Sequence, residues 1–178
     1  MAVANPRLRW ADLPAEHRRW LFLNALLATA AINFAINAVI AWISLRGAHT
    51  VPLWSVPLVG KTSAALDTFG TFFFLPFMTT LFCTTTVWAQ VRSGRLPPLS
   101  SFGVFDGLPS GRIRRGLTLG GICVAALSPL ALVVFLLARV DTMSARAFVL
   151  YKGVLGVALG AVVTPVIALC AMADPIAG

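Results

Sequence analysis

Residues 63–91 read SAALDTFGTFFFLPFMTTLFCTTTVWAQV. At 1.5 Å per residue such a helix exceeds the ~30 Å hydrocarbon core of a bilayer, so the stretch predicts a membrane span. It is an unusual one. It carries a carboxylate (Asp67), a central proline (Pro76) and a run of threonines between Thr71 and Thr86. The other apolar segments read as a bundle built around it.

The composition agrees. Of 178 residues, 58% are hydrophobic and 11% charged, where a soluble domain carries about a quarter charged residues. The net charge of +8 sits in the joints between apolar segments, with no aromatic-interleaved basic patch. This excludes nucleic acid as the expected partner and points to the lipid bilayer. Cys83, Cys123 and Cys170 fall one to a segment, so neither a disulfide framework nor a paired-cysteine metal site is expected, and no cofactor is called for.

Reading outward from 63–91, the chain predicts an all-α polytopic membrane protein, a four-transmembrane-helix bundle with a short N-terminal amphipathic segment. Residues 1–19 form that polar segment, with Asp12 as a helix N-cap and Trp10 and Trp20 as interfacial anchors. The membrane domain covers 20–173, with spans at about 20–45, 64–91, 116–138 and 147–173, and 174–178 form a tail. Arg18-Arg19 followed by an apolar run imitates a signal peptide, but the run continues through AINFAINAVIAWISL, so a retained span is expected. The loop 46–62, broken by Pro52 and Pro57, is expected on the membrane surface or as a cap on the bundle. Phe102 and Phe105 predict that the loop 92–115 also rests on the bilayer or the bundle.

Four spans put both termini on one side. Nine Lys and Arg lie in the N-terminal segment and middle loop against five on the other side. The bias places both termini in the cytoplasm of a bacterial-type inner membrane.

Asp67 follows Thr62 and Ser63, both good caps, and lies at the positive end of its helix. Lys152, at similar depth in span four, is its expected partner in a structural ion pair, against a role in moving ions or protons. Thr79, Cys83, Thr86 and Gln90 share one helical face, expected to pack on another helix. Asn33 and Asn37 are expected to meet that threonine face as interhelical glue. Gly156 and Gly160 form a close-packing ridge, inside the bundle or between copies of the chain. Arg112, Arg114 and Arg115 are expected to touch anionic lipid. No nucleophile–base pair or carboxylate dyad is visible, so catalysis is not expected. The reading favours a structural, assembly or interaction component, with another copy of the chain or a membrane protein as its candidate partner. Its alternative is a small oligomeric transporter or channel using a polar face of spans one and two.

Overall fold

The computed structural model describes residues 13–54, 63–99, 107–139 and 141–174. The expectations for Trp10, Asp12, Thr62, Phe102 and Phe105 lie outside them. Four helices dominate: α1 (Ala15–Ser44), α2 (Ala64–Arg92), α3 (Arg112–Ala138) and α4 (Ala145–Ala173), each long and apolar enough to cross a membrane. Among the described residues, two three-residue strands complete the set, β1 (Thr50–Pro52) and β2 (Thr142–Ser144).

The local sequence explains most helix ends. Ser63 accepts a hydrogen bond from the Leu66 amide, and Ser144 one from the Ala147 amide, both at 3.2 Å. Each hydroxyl satisfies an amide that the helix leaves open. The N-terminal expectation needs correction. Residues 15–19 are not a separate amphipathic piece, because the helix starts after Pro14 and runs unbroken into the span. Its second section, Leu21–Ala28, is π-helical, and Thr29 Oγ1 donates to the Asn24 carbonyl five residues back at 2.8 Å. Spans three and four likewise begin earlier than expected, at Arg112 and Ala145.

The connections after α1 and α3 form an antiparallel ribbon, pairing Thr50 with Ser144 and Pro52 with Thr142. The ribbon is a short addition to an all-helical bundle. Val51 and Leu53 are buried with Phe135 and Phe148, so residues 50–53 cap the bundle at this ribbon end. Residues 55–62 lie outside the description.

At the opposite, terminal end, Leu13 and Leu21 pack with Val87, Leu99 and Met172. Both ends of the described chain therefore share one end of the bundle. His17 joins them, with Nε2 2.8 Å from the Pro97 carbonyl.

The order of the helices in space differs from their order in sequence. The central helix is α4, with 56% of its most apolar stretch buried, against 6% for α3. Helix α1 packs on α4, and α2 packs on α3 and α4. Two glycine ridges make these contacts close. A Cβ added at Gly116 would lie 2.9 Å from the Phe77 ring, and one at Gly120 would lie 3.0 Å from Phe73. On α4, a Cβ at Gly153 would lie 2.6 Å from Phe34, and one at Gly156 would lie 2.6 Å from Asn37 Nδ2. Such small residues let the helix backbones approach closely and gain contact along their length.

Candidate functional site: a groove between α1 and α2

Asn33 and Asn37 do not meet the threonine face of α2. Their side chains lie over Gly156 and Gly160 of α4. The physical reason is fit: an asparagine amide needs depth that a glycine ridge offers and a threonine-lined surface does not. The ridge is thereby occupied within the chain and faces α1. Asn37 Nδ2 donates to the Asn33 carbonyl at 2.9 Å, which turns the pair along its own helix.

With α1 drawn onto α4, the face of α2 carrying Thr79, Cys83, Thr86 and Gln90 lines a half-open groove of about 940 Å³. The expected helix contact is made only in part: Cys83 packs into buried clusters at its edge and Gln90 is met by Trp20 of α1, while Thr86 is exposed. The threonines that do pack against helices are on other faces. Thr68, Thr80 and Thr84 are fully buried, and the hydroxyls of Thr68 and Thr80 donate to the carbonyls of Ala64 and Pro76 at 2.7 Å. Bonding back to the preceding turn is what makes a buried threonine cheap inside a helix.

The groove has apolar rails and a polar floor. One rail is Ile32, Ile36 and Ile40 of α1, and the other is Phe74, Met78 and Phe82 of α2. All six are exposed at their outer faces. Between them lie Asn33, Asn37, Thr71 and Thr164. The terminal end is bridged by Trp20, whose Nε1 donates to Gln90 Oε1 at 2.5 Å. Trp20 is thus a cross-helix partner at this end of the groove.

Near the ribbon end, Lys152 Nζ stands 2.5 Å from Asp67 Oδ2 and also donates to Thr71 Oγ1. The lysine side chain is 3% exposed and the aspartate side chain 22%. Both residues line the groove, and the aspartate is the more exposed of the two. Thr71 in turn donates to the Asp67 carbonyl at 2.8 Å. Beside it, Tyr151 and Thr68 hydroxyls are 2.9 Å apart, and since Thr68 gives its proton to Ala64, the phenol is the donor.

A second buried ion pair was not foreseen. Arg115 grips Asp174 with two nitrogens, Nη1 to Oδ2 at 2.9 Å and Nη2 to Oδ1 at 2.5 Å, and Trp88 Nε1 adds a bond of 3.2 Å. Arg115 is 2% exposed, so it is not a lipid contact. The planar guanidinium matches a carboxylate as a fork, and here it fastens the start of α3 to the end of α4. Arg112 and Arg114 remain on the surface, and Arg112 donates to Thr85 Oγ1 at 3.1 Å. Among the described residues no three His, Cys, Asp or Glu side chains gather as a metal site would require.

No known family, curated protein or solved structure matches this chain. The functional reading rests on the geometry above.

Proposed function

We propose that the chain is an integral membrane protein of a bacterial-type cytoplasmic membrane, with both termini cytoplasmic, that acts as an interaction component and not as a catalyst. The groove between α1 and α2 is its working surface, where it holds an apolar or amphipathic molecule. The observation carrying this reading is that two long apolar helices stand apart over a polar floor containing an ion pair. Outward faces such as Leu137 (77% exposed), Phe82 (71%) and Val162 (68%) support lipid around the bundle, since apolar surface of this extent is unfavourable in water. Arg112 and Arg114 at the terminal end support contact with anionic headgroups on the cytoplasmic side.

Alkaline extraction of membranes, together with a reporter fused to the C-terminus, tests the reading. The protein is expected to stay in the pellet with a cytoplasmic reporter. Release into the supernatant would remove the membrane assignment, and an extracytoplasmic reporter would reverse the orientation.

The polar floor favours one second reading, a small transporter whose path is completed by another copy. Cysteines placed at Asn37 and Thr79 separate the two. Reaction with lipophilic thiol reagents only supports the binding groove, while reaction with charged, membrane-impermeant reagents supports a solute path.

A further inference from the structure

Gly70 lies on the groove wall, one turn from Asp67 and beside Thr71. Glycine weakens a helix relative to alanine, so a mid-helix glycine calls for a reason. Gly116, Gly120, Gly153, Gly156 and Gly160 each have one: an added Cβ would come within 3.0 Å of a neighbouring side chain. A Cβ on Gly70 would meet nothing within 4 Å. Gly121 shares that freedom, but it faces outward on α3, whereas Gly70 widens the groove beside its charged pair.

We propose that the ribbon end of this groove is a binding site for a phospholipid with a primary-amine headgroup, drawn from the leaflet opposite the termini. The inference rests on the membrane reading above. The headgroup and glycerol backbone, the widest part of such a lipid, sit at Asp67, Gly70 and Thr71. The acyl chains run along Ile36, Phe74 and Met78. Depth fits this placement. Helix α2 has 29 residues, and at 1.5 Å each its roughly 43 Å overruns the ~30 Å hydrocarbon core. Asp67, three residues from the start of the helix, is therefore at headgroup level.

Charge selects the head. Both members of the ion pair line the groove, but the aspartate side chain is 22% exposed and the lysine 3%, so an ammonium finds the more accessible partner, while a purely anionic head meets Asp67 first.

The test is lipid retention. The full-length protein is reconstituted in nanodiscs holding equal phosphatidylethanolamine, phosphatidylcholine and phosphatidylglycerol. It is then exchanged into detergent, and the lipid it keeps is identified by mass spectrometry. Wild type is expected to keep phosphatidylethanolamine in preference to the others. Gly70→Leu, whose Cβ enters open space and whose side chain fills the headgroup's place in the groove, is expected to keep roughly tenfold less, about 1.4 kcal/mol of binding. The double change Asp67→Asn with Lys152→Met is expected to keep lipid but lose the preference for the amine over choline. Equal retention by wild type and Gly70→Leu would overturn the proposal, as would preference for phosphatidylglycerol. A stoichiometric protein displaced by Gly70→Leu would assign the groove to a partner instead. These results leave the membrane assignment standing, because that is read separately by alkaline extraction.

Discussion

Asn33 of α1 lies directly over Gly160 of α4, with its Nδ2 where a side chain on residue 160 would begin. This contact decides the arrangement of the bundle. It brings the first and last helices together and leaves the second standing away from the first.

Gly160→Leu is therefore expected to destabilise the bundle by about 1–3 kcal/mol, the usual range for overpacking a close contact. Combining it with Asn33→Ala should recover part of the loss, since the amide that the leucine strikes is removed. Thermal unfolding in detergent of the two single variants and the double variant reads the coupling. Strictly additive losses would show that the two residues do not share the contact.

The Asp67–Lys152 pair predicts a second cycle. Lys152→Met leaves the carboxylate without its buried partner and is expected to cost about 3–5 kcal/mol. The double change Asp67→Asn with Lys152→Met should cost clearly less, because no charge is left unpaired. If the double variant proves as unstable as the single one, the pair is not what holds these helices.

Arg115 and Arg114 are neighbours in sequence with opposite expected behaviour. Arg115→Lys keeps the charge but loses the two-pronged grip on Asp174, and about 1–2 kcal/mol of stability is expected to go with it. Arg114→Ala should leave the melting temperature unchanged and weaken binding to vesicles rich in anionic lipid. The reverse pattern would return Arg115 to the lipid surface.

Thr79 and Thr80 offer a direct check of the groove. A cysteine at Thr79 lines it, whereas Thr80 is fully buried at the α3 contact. A lipophilic maleimide should label Thr79→Cys in native membranes and spare Thr80→Cys until the protein is unfolded. Equal labelling would mean that the groove is closed in the membrane.

Much of this was legible in the sequence, since apolar length marks helices able to cross a bilayer whatever their neighbours. Asp67 and Lys152 were legible as a pair because an intramembrane charge needs a partner at its own depth. Neighbour choice was not. Asn33 and Asn37 announced only that they needed a polar or close contact, and both Thr79 and Gly156 answer that description. The choice depends on depth across the interface, which composition does not carry. Arg115 misled for a related reason: in a basic cluster it resembles Arg114, and only the position of Asp174 in space separates them. Gly116 and Gly120 have the same four-residue spacing and make the α2–α3 contact, a signal that went unread beside the ridge of Gly156 and Gly160. The π-helical section LFLNALLA has no proline or glycine to signal it.

The pairing of α1 with α4 also has a meaning in time. During synthesis α1 emerges first, and Gly156 and Gly160 appear only about 120 residues later, an interval on the order of ten seconds at 5–20 residues per second. Throughout that interval the Asn33 and Asn37 side chains lack the surface they finally occupy. For its first seconds α1 is a helix with an exposed polar edge. Emergence of α4 is the event that lets the bundle close around it.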